Sequence, residues 1–184
     1  TDLTRTFSNS RDILFYGAMN RPENWMSAIW FIENVFVNLK DKGYRFIVIG
    51  NKPSEQLLKF NNDEQIKILG FVEDINPFFQ NALCLVAPLL LGAGVKIKIL
   101  EGMSSGIPVL TNSIGIEGIY ARDGLEYFHC EKPEEYIEAI QKLSESSEEN
   151  LKMGLKAKQY IKENYDYGRD AEIFREKIIN LCQS

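Results

Sequence analysis

Residues 88–111, PLLLGAGVKIKILEGMSSGIPVLT, run a glycine turn, two lysines, a glutamate and a return strand in immediate succession, and their reading decides the fold. Just upstream, residues 82–87 (ALCLVA) form an unbroken apolar run, the pattern of a strand covered on both faces in a parallel sheet. Pro88 ends that run, and Gly92 and Gly94 permit backbone approaches that a Cβ would block. From 95 to 105 the apolar residues Ile97, Leu100 and Met103 recur at the spacing of one helix face. Gly106 and Pro108 stop the helix, and 109–111 begins the next strand.

A strand followed by a glycine turn and a helix start offers free backbone N–H groups and a positive helix end to an anion. Lys96 and Lys98 lie in the first turn, where helix electrostatics alone would favour acids. Two readings fit them. Either they serve a bound anion, or they are solvated surface residues with Lys98 pairing to Glu101 three positions on. Glu101 itself is an acceptor able to hold two adjacent hydroxyls, as the acidic residue of dinucleotide folds holds a ribose.

The same alternation extends outward. Residues 13–16 (ILFY) with Gly17 read as a strand and exit turn, and 24–40 as a helix with Met26, Ile29, Trp30, Ile32, Val35, Phe36 and Leu39 on its apolar side. Helical spacing assigns Trp30 and Phe31 to packing rather than sugar stacking. Strands follow at 44–49 before Gly50, at 65–69 before Gly70, and at 125–130. Short helices are expected at 54–60 and 75–80. Helices also span 133–143 and 150–164, with 144–149 (SESSEE) as an exposed acidic joint, and a last one spans 170–182. Strands alternating with helices indicate βαβ units. The expected fold is therefore α/β, a Rossmann-like open parallel sheet of about six strands with helices on both faces and further helices at the C-terminus. Gly17, Gly50, Gly70 and the Gly92/Gly94 pair all follow strand ends, where an open α/β sheet binds its ligand.

Composition removes several classes. The chain has 184 residues, 45% hydrophobic and 26% charged, with a formal net charge of -5, ordinary for one globular domain and without the basic cluster of a nucleic-acid surface. No apolar run approaches the roughly 18 residues of a membrane span. Three dispersed cysteines (Cys84, Cys130, Cys182) and one histidine, His129, point to a reduced, cytosolic setting and argue against a zinc site or a histidine-based triad. Gly17-Ala18-Met19-Asn20 is not the dinucleotide fingerprint, which speaks against a reductase. The first strand lacks the clustered acids that a magnesium-dependent receiver needs. Residues 1–11 read as a linker or arm and 12–184 as the domain, as in an excised fragment of a longer chain.

The central stretch resembles the donor-binding signature of family-4 glycosyltransferases with the GT-B fold, E-G-F-G-x-x-x-x-E-A-M-A-x-G-x-P-V. Gly94, Glu101, Met103, Gly106, Pro108 and Val109 fit, with Ala93 where the first glutamate usually stands. It is closer still to a subgroup reading P-L-x-x-G-x-G-x-[RK]-x-K-x-L-E-A-x-x-x-G-x-P-V-V, matched by Pro88, Leu89, Gly92, Gly94, Lys96, Lys98, Leu100, Glu101, Gly106, Pro108 and Val109. Gly17, Met19 and Ala28 resemble the family's G-x-M-x-x-x-P-N-x-x-A phrase. Phe71-Val72-Glu73-Asp74 resembles its G-x-V-x-D loop, and Glu117-Gly118-Ile119 its G-x-E-G-L turn, which Glu117 would orient.

The resemblance implies the donor-binding half of a retaining glycosyltransferase, using a UDP- or GDP-linked sugar and no protein-bound metal. Glu101 would take the ribose hydroxyls, and Lys98 with Lys96 the diphosphate. Amides from Gly94 through Val95 to Lys96 would face phosphate or sugar, Gly17, Gly50, Gly70 and Gly92 would line the crevice, and Phe71 and Val72 would edge the base through their main chain. Arg21 is the cation available in the first loop. Glu101 and Lys98 are the candidate catalytic groups. The acceptor-binding N-terminal half would belong to the same longer chain, so this part alone would be inactive. The setting implied is polysaccharide synthesis in the cytoplasm, with peripheral contact to the inner membrane face through that absent half. A non-catalytic nucleotide-sugar binding module working with a partner chain is the other reading.

Overall fold

The computed structural model of the chain describes residues 10–165. Six apolar segments become parallel strands: β1 (Asp12–Tyr16), β2 (Arg45–Ile49), β3 (Ile66–Gly70), β4 (Cys84–Ala87), β5 (Val109–Thr111) and β6 (Phe128–His129). Their order in one sheet is β3-β2-β1-β4-β5-β6, and each neighbouring pair is parallel. The chain builds outward from β1 to β3, then returns to the other side of β1 for β4. The order therefore reverses between β1 and β4, and the crevice outside the carboxyl ends of those strands is where open α/β sheets take ligands.

Side-chain alternation along each strand divides the interior in two. Ile13, Phe15, Phe46, Val48, Val86 and Leu110 face one core, while Leu14, Ile47, Leu85 and Val109 face the other. The first is covered by α1 (Pro22–Asn34), through Ala28 and Phe31, by α2 (Glu55–Leu58), through Leu57, and by α6 (Pro133–Glu145), through Tyr136 and Ile140. The second is covered by α3 (Asn76–Asn81), α4 (Ile97–Ser105) and α7 (Ser147–Asn164), through Phe79, Ile99, Met103 and Ala157. Between β5 and β6 lies a short α5 (Ser113–Ile116), capped by the Asn112 side chain. Burial of both sheet faces explains why β4 is apolar at every position.

Four sequence expectations change. Helix α1 ends at Asn34 rather than at 40, and two short 3-10 turns follow, Phe36–Asn38 and Lys40–Lys42. Asn34 and Asn38 bond back to the carbonyls of Trp30 (2.8 Å) and Asn34 (3.2 Å), competing with the helix ladder among β-branched neighbours. The 144–149 joint is almost wholly helical, because Ser146 both ends α6 and caps α7 by accepting from the Glu149 N–H. Strand β6 is cut to two residues, since the buried Glu126 carboxylate turns back to the Arg122 N–H (2.6 Å) and guanidinium (2.8 Å). Finally, α4 begins at Ile97 and buries Ile99, Gly102 and Met103, while Ile97 is 70% exposed and Leu100 is half-buried.

Trp30 and Phe31 pack as their spacing indicates, with both rings edge-on to Tyr136 at 6.1 Å. The helix expected at 170–182 lies outside the described residues.

Candidate functional site

The glycine turns sit side by side at the carboxyl edge of the sheet. The Gly17 N–H donates to the Ile49 carbonyl (3.1 Å), and the Gly50 N–H to that of Gly70 (2.8 Å). A Cβ on Gly50 would stand 1.7 Å from the Gly17 carbonyl oxygen, so no side chain fits where these two turns meet. Gly94, in the loop after β4, takes φ +70, a left-handed conformation open to glycine. These bonds and this close approach hold the exit turns of β1, β2 and β3 together beside the point of reversal.

Lys98, in the first turn of α4, reaches across that point. Its Nζ donates to Asn24 Oδ1 on α1 and stands 5.1 Å from the centre of the Phe15 ring. A Cβ on Gly17 would lie 2.9 Å from the same Nζ. Burial pushes the Lys98 ammonium down to about 8, with Glu23 acting against that shift and Lys96 adding to it. The solvated-lysine reading therefore fails for Lys98: its charge is partly desolvated and held at the crevice.

Lys96 precedes α4 and folds its stem over Gly92. Its Nζ donates to the Gly94 carbonyl and lies 3.3 Å from Glu117 Oε2. Its side chain is only 11% exposed, so this lysine also is tethered rather than free, paired with Glu117 of the turn that ends at Ile119. Glu101, one turn beyond Lys98, accepts a hydrogen bond from the Tyr16 hydroxyl, which also lies 3.3 Å from the Lys98 carbonyl. The Lys98 and Glu101 side chains thus point to different partners rather than to each other. Burial and the Glu101 carboxylate both push the Tyr16 phenol well up, so it remains a donor to that carboxylate.

The structure gathers Gly17, Lys98 and, through Tyr16, Glu101 at the β1/β4 reversal, with Gly50 and Gly70 at the neighbouring exits of β2 and β3. Gly92, Gly94 and Lys96 form the adjoining loop, and Val95 meets the Gly118 turn. Arg21 is peripheral: it precedes α1 with its side chain 67% exposed, 3.8 Å from Glu23. Phe71 is exposed and Val72 half-buried beyond the β3 end, where Val72 packs against the second core. Sequence reasoning overlooked Tyr16 and Asn24. Tyr16 read as a strand residue and Asn24 as the start of a helix, although an asparagine buried in a helix's first turn asks for a hydrogen-bond partner. His129 is structural, with Nε2 3.1 Å from Glu131 and Nδ1 3.3 Å from the Tyr127 hydroxyl. Among the described residues no group of three His, Cys, Asp or Glu side chains could hold a metal ion, and no helix is long and apolar enough to cross a membrane.

The sequence model of the family described as Glycosyl transferases group 1 matches residues 10–146. The chain belongs to that family. Among group 1 relatives of known fold, the C-terminal domain of the glycosyl transferase group 1 protein LpcC from Francisella tularensis is 19% identical. The match covers 86% of this chain and 88% of that one, with a TM-score of 0.69. TarM is 20% identical with a TM-score of 0.79, covering 98% of this chain but 36% of its own. HepE from Anabaena, solved with UDP and glucose, is 15% identical with a TM-score of 0.77, covering 92% of this chain and 48% of its own. The group 1 fold here is thus that of the C-terminal half of GT-B glycosyltransferases. In sequence, the chain is 25% identical over 176 residues to an uncharacterized 44.6 kDa protein in the cps region of Klebsiella pneumoniae, and spans 45% of that protein's length.

Proposed function

We propose that residues 12–184 are the donor-binding half of a retaining glycosyltransferase that moves a sugar from a nucleotide-diphosphate sugar to a glycan or other acceptor. The observation that carries this reading is the Lys98 ammonium, held by a neutral amide and an aromatic face at the β1/β4 crevice, with Glu101 one turn away and fixed by Tyr16. A cation kept partly dry without a contacting carboxylate is suited to a ligand that brings its own negative charge.

In this reading Lys98 neutralises the diphosphate and stabilises the charge that grows on it as the glycosidic bond to the leaving group lengthens. Lys96 adds longer-range positive potential, and the amides from Gly94 to Lys96 face phosphate or sugar. Glu101 accepts from the ribose hydroxyls with the oxygen that Tyr16 leaves available, and the main chain at Phe71 and Val72 borders the base. The complexes of Anabaena HepE with UDP and with UDP-glucose support a nucleotide-sugar donor on this fold. In this reading the acceptor, and the half of the enzyme that binds it, lie beyond this chain, which spans 45% of the Klebsiella pneumoniae protein and 48% of HepE. Assembly of a polysaccharide on the cytoplasmic side of the membrane is the setting proposed.

The test is titration calorimetry of the protein with UDP and GDP, repeated on Glu101→Ala. Saturable binding of one nucleotide, lost in a variant with an unchanged melting temperature, is expected. A folded protein that binds neither nucleotide, even when joined to an acceptor-binding half, overturns the reading.

A further inference from the structure

We propose that Asn24 is the positioning residue for Lys98, an amide that aims the ammonium at the crevice while leaving its full charge for a diphosphate. The proposal rests on the donor-site reading above, but its geometry stands independently. Asn24 is the third residue of α1, is 6% exposed, and uses both ends of its side chain. Its Nδ2 donates to the Ala18 carbonyl (2.9 Å), which ties it to the β1 exit loop, and its Oδ1 accepts from Lys98 Nζ. The ammonium can only donate. The amide orientation is therefore fixed, because the flipped form would set N–H against N–H at Lys98 and oxygen against oxygen at Ala18.

Asparagine is a poor helix former and a poor core residue, so its burial here calls for a reason beyond α1. A carboxylate at this site would grip Lys98 harder but would neutralise it. An apolar residue would leave the ammonium to swing into solvent. The neutral acceptor does neither, and the Phe15 face beside it likewise attracts a cation without cancelling it. The charged groups that act on Lys98 are Glu23, which favours the ammonium, and Lys96, which opposes it. Both are side chains that Asn24→Asp and Asn24→Ala leave in place.

The experiment follows Lys98 itself as well as nucleotide binding. In the protein without nucleotide, the Lys98 side-chain resonances are titrated by NMR for the native sequence, Asn24→Ala and Asn24→Asp. UDP and GDP affinities are then measured across the same pH range. The native Lys98 midpoint is expected near 8, and Asn24→Asp should raise it by about one unit or more. Asn24→Ala should weaken nucleotide binding about tenfold at neutral pH, the loss of one charge-assisted hydrogen bond. Asn24→Asp should weaken it at least as much although its lysine is more fully protonated, and the alkaline fall in affinity should move with the midpoint. Should Asn24→Ala unfold, Asn24→Asp, nearly isosteric, carries the test by itself. A Lys98 midpoint unchanged in the variants overturns the proposal. If the midpoint moves while no protein binds either nucleotide, Asn24 does position Lys98 and it is the donor reading that falls.

Discussion

At the scale of single residues, the most informative group is one that disfavours the fold it sits in. The Lys98 ammonium ordinarily titrates at 10.5 and is pushed down to about 8 in the folded chain. Between those two values the unfolded chain binds more protons, so this group's contribution to stability rises with pH across that window and is most unfavourable below it. At about 1.4 kcal/mol per unit, the penalty at neutral pH is on the order of 3 kcal/mol. Lys98→Met should therefore stabilise the protein against urea at pH 7 by roughly 1 to 3 kcal/mol, with the gain shrinking towards pH 10.5, while nucleotide affinity disappears. Equal stability at both pH values would show that the ammonium is solvated. Bound diphosphate should restore an ordinary lysine, so UDP binding near pH 8 should take up about half a proton. Calorimetry in buffers of different ionisation enthalpy reads that uptake directly. Tyr16→Phe removes the donor that holds Glu101 and should weaken UDP binding about fivefold, the worth of one hydrogen bond, with the fold intact. Lys98 and Glu101 were visible in the sequence because a motif carries them. Asn24 and Tyr16 were not, since their partners lie 74 and 85 positions away.

At the scale of elements, α4 is held from both sides, by the sheet below it and by α7. The contact with α7 is backbone to backbone: a Cβ on Gly154 would stand 1.9 Å from the Gly106 carbonyl oxygen. Helix propensity alone makes Gly154→Ala stabilising by roughly 1 kcal/mol. The clash reverses the sign, and a net destabilisation of about 2 kcal/mol in chemical denaturation is expected as α7 lifts from α4. A neutral or stabilised variant would mean that the two helices can part freely. The existence of nearly every element was legible from periodicity, but not its extent or its inward face. Helix α4 shows why. Ile97, Leu100 and Met103 share one helical spacing, and Ile99 and Met103 share another. The second face is the buried one because Gly102, which no hydrophobic pattern registers, lets the helix settle against Leu85 and Val109, with an added Cβ 2.5 Å and 3.1 Å from them.

At the scale of the whole molecule, a six-stranded sheet within the described residues coexists with a chain that spans between 36% and 48% of relatives such as TarM and HepE. A crevice at the edge of one open sheet can bind a nucleotide, yet group transfer needs an acceptor brought within reach of the sugar and water kept away. The protein by itself should therefore bind UDP or GDP and give no detectable transfer from labelled UDP-glucose, whereas fusion to an acceptor-binding half should restore turnover. Robust transfer without that half would overturn the division of labour proposed here.

What the sequence determined by itself is whatever short stretches encode: apolar runs long enough for strands, glycines where those strands end, and a lysine-and-glutamate helix start after the fourth. Those features suffice for a parallel sheet and for the edge where its glycine turns lie, because turn conformation and side-chain period are local properties of the backbone. Only the tertiary structure decided the order of the strands, the placing of β1 against β4, and the environment of each lysine. The charges of Lys96 and Lys98 look alike in sequence. They differ in the fold because Lys98 lies against Phe15 and Asn24, brought there from the far side of the reversal, and desolvation depends on every group that packs nearby rather than on neighbours along the chain.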